Sequence, residues 1–576
     1  MTTTQIIAND ELDSAWWKEA VVYQIYPRSF NDSDGDGVGD LRGVIERLDY
    51  VADLGVDVIW LNPVYDSPQE DNGYDISDYR AIYDEFGTMA DWEALLEEVH
   101  DRDMRLVMDL VVNHTSDQHE WFRKSRQRDP EYEDYYIWRE GDTDEDGEPV
   151  PPNNWESFFG GSAWEYDEER GEYFLHLYDT TQPDLNWRND AVRQDVFDTI
   201  EWWLEKGIDG FRMDVINLLS KVEGLPDGDP DSEWIGSEHF IDGPELSSYL
   251  TALDDEVLSN YDVMTVGEMP QLTVESAREY AGADGPLDMA FHFQHTKLDY
   301  DGDERWSVGD WSLPELKRIV DRWQDGLAAD GWNALYWENH DQPRSISRYG
   351  DPENYRRESA KLLGTFVLTL RGTPYIYQGQ ELGMTNADWD TMDELRDVDA
   401  INHARELLDR DGVADYEDVR DVVGYRTRDN ARTPIQWDDS ENAGFTDGDS
   451  WIQVNSNYTD INAADQRRDA DSVYNYYRCL IQLRSERDVF VYGDYTDLLP
   501  DHESVFAFTR SLSTFSGTER ALVVLHFDDA TATFDLPVEY ADAALLECNY
   551  DRDDTDPNPG TVTLAPYEAR VYELFD

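Results

Sequence analysis

The chain has 576 residues, and its 128 Asp and Glu outnumber its 46 Lys and Arg, which gives a formal net charge of −82. Its content of 40% hydrophobic and 13% aromatic residues excludes an acidic disordered protein, and no basic patch is available to bind the phosphates of a nucleic acid. Repulsion between like charges at this net charge destabilises a compact fold. Salt screens the repulsion, because the Debye length falls to about 3 Å at 1 M. We therefore expect this acidic chain, which has only seven lysines, in the salt-rich cytoplasm of a halophile.

The N-terminal segment carries no sign of export. MTTTQIIANDELDSAWWKEA lacks the basic region and the following apolar region of a secretory leader, and the sequence has no apolar run near the roughly 20 residues of a membrane span. Cys479 and Cys548 are too few for a disulfide framework. We therefore expect a soluble, cytoplasmic protein without a membrane partner.

From residue 21 onward, short apolar runs alternate with amphipathic segments. The apolar runs are VVYQIY, VDVIWLNPV, RLVMDLVVNH, IDGFRMDV, DVMTVGEMP, ALYWENHD and TPYIYQGQELG, and the helical patterns between them include LRGVIERLDYVADLG, DWEALLEEVHDRD and VRQDVFDTIEWWLEKG. Buried strands that alternate with helices are typical of a parallel sheet wrapped by helices. About eight such strands over roughly 480 residues predict an α/β fold, a (β/α)8 TIM barrel with large insertions.

Two regions depart from this alternation. Residues 115–185 are rich in Trp, Tyr, Gly and Asp and are predicted to form a small domain inserted after the third strand. Beyond about residue 495 the patterns are strands only, such as SVFAFTRSL and RALVVLHF, which predicts a separate C-terminal antiparallel β-sandwich. The predicted domains are the barrel at 1–114 and 186–495, the inserted domain at 115–185 and the C-terminal domain at 496–576.

Polar residues recur where the predicted strands end. They are Asp109, Asn113 and His114; Arg212 and Asp214; Glu268; and Asn339, His340 and Asp341. In a barrel these positions meet at the C-terminal mouth, where active sites are built. Carboxylates at three strand ends indicate glycoside hydrolysis, because one carboxyl group must protonate the leaving oxygen while another attacks or stabilises the anomeric carbon.

Several motifs resemble those of a known family. DLVVNH, GFRMDV, VGE and ENHD are similar, in this order, to the four signature regions of the α-amylase family of glycoside hydrolases, family 13. QPDLN resembles its fifth region, in the form typical of the oligo-1,6-glucosidase and α-glucosidase subgroup. YQIYPRSF, DNGYDISDY, FGTM and RDNARTPIQW extend the resemblance over essentially the whole chain.

The resemblance implies a role for each strand-end carboxylate. Asp214 is similar to the nucleophile that forms a covalent glycosyl-enzyme, Glu268 to the general acid/base, and Asp341 to the third carboxylate, which holds sugar hydroxyls. Arg212 lies two residues before Asp214 on the same strand face and is expected to keep it ionised.

The resemblance also implies a set of substrate contacts. Asp75 and Arg428 resemble the pair that closes the pocket behind the non-reducing end, which makes the enzymes of this subgroup exo-acting. The other implied contacts are His114 and His340 to sugar hydroxyls, Tyr74 and Tyr178 as aromatic walls, and Gln182 as a polar neighbour. From the residues alone, the two tyrosines could equally be packing aromatics, and Gln182 could serve only to shape its loop.

The expected activity is that of a retaining exo-α-glucosidase acting on small α-glucoside oligosaccharides. Val215 follows the nucleophile, and in the subgroup a valine there accompanies a preference for α-1,6 links, while alanine or threonine accompanies α-1,4. An α-1,4-specific maltase type and a transglycosylase of the sucrose isomerase or trehalose synthase type remain the alternatives. A non-enzymatic transporter heavy chain would have a membrane helix and would lack the catalytic carboxylates.

The stretch NDSDGDGVGDLRG places acidic residues at the spacing of a calcium loop. With Asp32 as position 1, Asp34, Asp36, the Val38 carbonyl and Asp40 fall at positions 3, 5, 7 and 9 of an EF-hand-like loop, although Gly43 replaces the glutamate of position 12. The resemblance implies a structural divalent ion here, Ca²⁺ ahead of Mg²⁺, and no organic cofactor. The alternative is a solvated acidic turn.

Overall fold

The computed structural model describes residues 12, 14–143, 149–302, 304–409, 415–515, 517–536, 542–551 and 561–575. Residues 1–11, on which the expectation about export depends, lie outside this part. Within the described residues no helix combines the length and the apolar character needed to cross a membrane.

The centre of the fold is an eight-stranded parallel sheet that closes into a barrel. Its strands are Val22–Ile25, Val58–Leu61, Arg105–Val111, Gly210–Asp214, Met264–Glu268, Met289–Phe291, Ala334–Leu335 and Thr373–Tyr377. Each of the first five pairs with the next in parallel register, the seventh pairs with the eighth, and the eighth returns to pair with the first. A parallel bridge between Ala290 and Asn333 closes the remaining gap. This topology confirms the predicted (β/α)8 barrel.

Helices follow the barrel strands and cover the outside of the sheet. The α-helices are Trp16–Glu19, Leu41–Leu54, Met89–His100, Glu120–Arg126, Asp190–Glu205, Ser237–Phe240, Leu246–Glu256, Val274–Ala281, Leu313–Gly326, Ser345–Tyr349, Arg356–Thr369, Val398–Leu408, Arg420–Arg426, Asp429–Arg432, Ala463–Gln466, Val473–Ser485 and Asp488–Tyr492. Local residues fix their ends. The Asp40 carboxylate caps Leu41–Leu54 by accepting from the Gly43 N–H at 2.7 Å, and Gly55 ends that helix at φ 94°, where a side chain would be strained.

The inserted segment between the third strand and the helix Asp190–Glu205 is small and aromatic. It contains the strands Trp138–Arg139, Trp164–Asp167 and Glu172–Leu175, which form one antiparallel sheet, and the hairpin Asp142–Thr143 with Pro149–Val150. Its Trp155, Trp164 and Leu177 are buried in one cluster with Val215, the residue after the predicted nucleophile. The insertion therefore packs on the C-terminal mouth of the barrel.

The C-terminal region is antiparallel throughout its described residues. Its strands are Asp494–Asp497, Val505–Thr514, Gly517–His526, Ala543–Cys548 and Ala569–Leu574 in one sheet, and Ala532–Asp535 and Thr561–Leu564 in a second. Because successive side chains of a strand point to opposite faces, Val505 and Ala507 pack toward the second sheet, while Phe506 and Phe508 belong to the large core that includes the barrel helices.

The strands that the sequence patterns missed are short. The sixth barrel strand, Met289–Phe291, has three residues, and two strands of the C-terminal region, Asp494–Asp497 and Thr561–Leu564, have four each. Segments of this length carry too little alternation to distinguish a strand from a loop. They form because the neighbouring strands offer them a partner, which is a tertiary effect.

Candidate active site

The three predicted catalytic carboxylates lie at the C-terminal mouth of the barrel. Asp214 is the last residue of the fourth strand and Glu268 the last of the fifth, and the parallel register that pairs Met213 with Gly267 places both ends at one level. Asp341 lies in the loop after the seventh strand, Ala334–Leu335. The polar residues that end the apolar runs are thus brought together, as the sequence predicts.

A cavity of about 170 Å³ lies between these carboxylates and the inserted segment. Of the predicted site residues, nine line it: Tyr74, His114, Tyr178, Gln182, Asp214, Val215, Glu268, Asp341 and Arg428. Its other lining residues are mainly aromatic or polar: Asp71, Phe158, Phe159, Trp234, Pro270, Gln271, Phe293, Thr296, Lys297, Tyr300, Arg305 and Gln342. Arg212 and His340 lie behind the lining, where they contact the carboxylates.

Arg212 links the carboxylates of three neighbouring strands. Its Nη1 lies 2.6 Å from Asp109 Oδ1 and 2.7 Å from Asp214 Oδ1, and its Nη2 donates to Glu268 Oε2. The guanidinium group is 1% exposed, so water screens these charges little. Arg212 therefore stabilises the ionised form of Asp214, the predicted nucleophile.

The two central carboxyl groups differ in pKa. Burial is the largest influence on both, and the pKa is raised to about 6 for Asp214 and to about 8 for Glu268. Arg212 lowers both pKa values, whereas the negative charges of Asp214 and Asp341 raise that of Glu268 further. At neutral pH the favoured state has an ionised Asp214 and a protonated Glu268, as a nucleophile and a general acid require.

Asp341 is held as a carboxylate by two arginines and by the ring of His340. Burial raises its pKa, but contacts with His340, Arg428 and Arg432 lower it well below the usual value. The His340 Nε2 lies 3.0 Å from Asp341 Oδ2, and Arg432 Nη2 lies 3.0 Å from Oδ1. A fixed acceptor at the mouth of the cavity is suited to binding sugar hydroxyls.

The predicted pairing of Asp75 with Arg428 is wrong. Arg428 Nη2 lies 3.2 Å from Asp71 Oδ1, whereas the Asp75 carboxylate accepts from the Ser67 hydroxyl and from the backbone N–H groups of Glu70 and Asp71. The hydrogen bonds of Asp75 thus stabilise its own loop. Burial there raises the pKa of Asp75 to about 7. Of the two aspartates in this motif, Asp71 is the one that contacts Arg428 and lines the cavity.

The polar contacts around Asp71 bring several predicted residues together. Gln182 Nε2 donates to Asp71 Oδ2 at 3.1 Å, and the His114 ring lies 3.1 Å from the Tyr74 carbonyl through Nε2. The Tyr74 ring stacks on His340 at 5.0 Å between centroids. Tyr74 and Gln182 thus line the cavity and also hold its wall in place. Contact with a substrate and a structural role in the wall are therefore compatible for both residues.

Val215 adopts a backbone conformation that is rare for a branched residue. Its φ of 36° and ψ of 42° lie in the left-handed region, where a β-branched side chain is a genuine outlier. This turn directs the chain away from the strand directly after Asp214 and places the Val215 side chain in the lining of the cavity.

Sequence patterns missed the third partner of Arg428. Asp397 precedes the helix Val398–Leu408 and is fully buried; its Oδ1 lies 2.7 Å from Arg428 Nη2, and its Oδ2 accepts from the Arg428 backbone N–H at 2.9 Å. Residues 380–470 of the sequence are rich in Asp, Asn and Arg and have no regular pattern, so nothing in the sequence distinguished Asp397 from the other acidic residues there. The RDNARTPIQW motif indicated Arg428 but not its partners.

The acidic loop brings three of its predicted ligands together. Carboxylate oxygens of Asp32, Asp34 and Asp40 lie within 4.8 Å of one another, while the Asp36 carboxylate accepts from the Val38 N–H at 2.9 Å. Asp32 is fixed by N–H groups of Gly35 and Gly37, each 2.8 Å away. Hard oxygen donors at this spacing fit Ca²⁺ or Mg²⁺.

A (β/α)8 barrel with three carboxylates at its C-terminal mouth is the architecture of a class of glycoside hydrolases, and the sequence matches a family of this class. Residues 24–493 match the family described as alpha amylase, catalytic domain. The chain belongs to this family of glycoside hydrolases.

Several similar proteins match nearly the whole chain. It is 51% identical over 570 residues to an oligo-1,6-glucosidase of Parageobacillus thermoglucosidasius, over 98% of this chain and 100% of the relative. A crystal structure of Bacillus licheniformis trehalose-6-phosphate hydrolase is similar to this chain, with a TM-score of 0.90 and 47% identity. The crystal structure of an isomaltulose synthase mutant of Erwinia rhapontici in complex with sucrose is also similar, with a TM-score of 0.93 and 43% identity. Each likeness covers 98% of this chain and 100% of the other.

Proposed function

We propose that the protein is a retaining exo-α-glucosidase that hydrolyses short α-glucosides and prefers α-1,6 links. The observation that carries the proposal is the pairing of Asp214 and Glu268, which share Arg212 and are close enough for a hydrogen bond between their carboxyl groups. Inverting enzymes need carboxyl groups about 6.5–9.5 Å apart to admit a water molecule, and retaining enzymes need them closer.

The chemistry follows from the two protonation states. Glu268 donates its proton to the glycosidic oxygen while Asp214 attacks the anomeric carbon, which breaks the C1–O bond and forms a β-linked glucosyl ester. Glu268, now ionised, takes a proton from water, and the hydroxide attacks the same carbon and releases glucose and Asp214. Two inversions give the α-anomer, so an NMR time course that shows β-glucose first would rule out this mechanism.

The exo mode is supported by the contacts that Arg428 makes across the end of the cavity. Its guanidinium group joins Asp71, Asp341 and Asp397, which come from three different loops. A chain of sugars cannot extend through a wall held by these ion pairs. The glucosyl unit of the non-reducing end therefore fills the closed side, and the leaving sugar faces the open side.

Two other activities are compatible with the same carboxylates. A maltase-type enzyme would differ only in its preference for α-1,4 links, and the isomaltulose synthase resemblance favours sucrose isomerisation as the second candidate. Product analysis with isomaltose, maltose, sucrose and trehalose in several concentrations of KCl separates the three. If isomaltulose or trehalulose is the main product from sucrose, the activity is sucrose isomerisation and not hydrolysis.

Replacing Val215 with alanine is expected to shift the preference toward maltose. The branched side chain crowds the position of an α-1,4-linked second sugar, whereas the α-1,6 link has an extra rotatable bond. A methyl-level change contributes about 1–3 kcal/mol of discrimination, so the ratio of kcat/KM for isomaltose and maltose should change about tenfold. Val215→Ile, which keeps the branch, is the control. Wild-type preference for maltose, or an unchanged ratio in Val215→Ala, would defeat the proposal.

We further propose that Asp32, Asp34 and Asp40 bind a structural divalent ion, Ca²⁺ ahead of Mg²⁺, with Asp36 and the Val38 carbonyl as the other predicted ligands. The close carboxylates support this, because three negative charges at such short range repel one another unless a cation lies between them. The ion would fix the loop between the first strand and the helix that Asp40 caps. The proposed hydrolysis needs only carboxylates.

A chelator is therefore expected to lower the melting temperature without changing kcat measured well below melting. Differential scanning calorimetry and glucose release, with and without EDTA and with added CaCl₂ or MgCl₂, measure both quantities. Asp34→Ala should melt at the temperature of the chelated wild type and should no longer respond to EDTA. Loss of activity without loss of stability would mean that the ion takes part in catalysis.

We also propose that the protein is adapted to high salt. Its charge of −82 supports this, since repulsion on that scale requires screening. The melting temperature should rise between about 0.1 and 3 M KCl, over which the Debye length falls to a few ångströms. Glycine betaine, which stabilises proteins but does not screen charge, is the control. A flat or falling series in KCl would contradict salt adaptation.

A further inference from the structure

The cations that line the cavity are already matched by carboxylates of the chain. Among the lining residues are Lys297, Arg305 and Arg428. Arg428 contacts three aspartates, and Arg305 Nη2 lies 2.6 Å from the Oδ2 of Asp399, which is buried. Each guanidinium group is therefore committed to a carboxylate of the chain.

Lys297 is matched in the same way, at the rim of the cavity. Its Nζ lies 2.7 and 3.0 Å from the two carboxylate oxygens of Glu233 and 5.0 Å from the ring centroid of Trp234, which also lines the cavity. Lys297 ends the short turn after the sixth barrel strand, and Glu233 lies in the connection between the fourth and fifth strands. The pair is about one-third exposed on each side, so a ligand can reach it.

The remaining charges of the cavity are negative. Asp71, Asp214 and Asp341 line it, and Glu268, which is protonated at neutral pH, adds no positive charge; the net charge of the whole protein is −82. A phosphate ester carries a charge near −2 at neutral pH and needs a cation that is free to bind it. Lys297 lies at the open side of the cavity, where the leaving sugar is released, and its ammonium group is already paired with Glu233.

We propose that the Glu233–Lys297 pair makes the leaving-sugar side selective for uncharged sugars and rejects phosphorylated ones. This inference rests on the proposed α-glucosidase function and narrows its substrate class to neutral α-glucosides. Lys297 keeps its contact with Trp234 as part of an aromatic wall for a sugar ring, and Glu233 both neutralises the lysine and repels an approaching phosphate.

The test compares trehalose with trehalose 6-phosphate as competitive inhibitors of p-nitrophenyl α-glucoside hydrolysis. In the wild type, the phosphate ester should inhibit at least about tenfold more weakly than trehalose. Glu233→Gln should lower the inhibition constant of the ester about tenfold or more relative to that of trehalose, because a charge-assisted hydrogen bond to Lys297 becomes available. The ratio of the two constants cancels any general loss of activity.

The double variant Glu233→Gln/Lys297→Met should return the ratio to the wild-type value, and Glu233→Ala serves if the glutamine variant does not fold. Tighter binding of the ester by the wild type, or an unchanged ratio in both Glu233 variants, would overturn the inference. If p-nitrophenyl α-glucoside is not hydrolysed, the proposed function fails, and calorimetric titration of the two sugars still tests the selectivity.

Discussion

Replacing Asp214 with alanine is expected to lower kcat/KM by about 10⁴-fold or more, because the group that forms the covalent intermediate is lost. Glu268→Ala should be similarly inactive on isomaltose, whose leaving sugar needs a proton. On p-nitrophenyl α-glucoside it should retain a burst of p-nitrophenol, because this leaving group departs without a proton and only the second step stalls. Stopped-flow absorbance measures the burst of p-nitrophenol, and circular dichroism spectra check that each variant is folded.

Azide distinguishes the two roles through the stereochemistry of the product. In Glu268→Ala the azide should attack the glucosyl ester from the side of the missing acid/base and give α-glucosyl azide. In Asp214→Ala it should occupy the place of the nucleophile, attack the substrate directly and give β-glucosyl azide. The reverse pattern, or residual activity of Asp214→Ala above about one-hundredth of the wild type, would contradict the assignment.

Replacing Asp71 with asparagine is expected to lower kcat/KM about 100-fold for both isomaltose and maltose. Its carboxylate accepts from Arg428 and Gln182 and lines the closed end of the cavity. Hydrogen bonds to charged groups contribute about 1.5–3 kcal/mol each, and the loss also leaves Arg428 with one partner fewer. Steady-state kinetics with both disaccharides measure the effect.

Asp75→Asn is the matched control, four residues away in the same motif. Its carboxylate stabilises the loop through Ser67 and two backbone N–H groups, so the variant should melt at a lower temperature and lose less than tenfold in kcat/KM. A larger loss of activity in Asp75→Asn than in Asp71→Asn would restore the pairing expected from the sequence.

The position of the candidate catalytic carboxylates was predictable because their signal is local. Asp214 and Glu268 each end an apolar run, and parallel strands bring such ends to one edge whatever the loops do. The partner of Arg428 was not predictable in this way, since Asp71 and Asp75 share one motif. The choice depends on a turn in which Asn72 and Gly73 have φ values of 50° and 102°. This turn directs only Asp71 toward the cavity.

Other features depend on contacts that the sequence does not encode locally. Asp397 lies in a stretch without periodicity, and its role follows from the fold of two distant segments around Arg428. The strand Met289–Phe291 exists because Glu268 and its neighbours offer a pairing edge. The strained Val215 backbone likewise has no local signal, because valine favours extended conformations.

The alternation along the strand Val505–Thr514 has a consequence for the modularity of the enzyme. Phe506 and Phe508 are fully buried in the same core as the barrel helices, and Arg510 of the same strand donates to the carbonyls of Thr369 and Phe490 in the barrel. A boundary drawn between the two domains would cut through one continuous hydrophobic interior. Removing the C-terminal sheet would therefore expose the apolar surface of the barrel helices to water, so the sheet cannot be exchanged as an independent module.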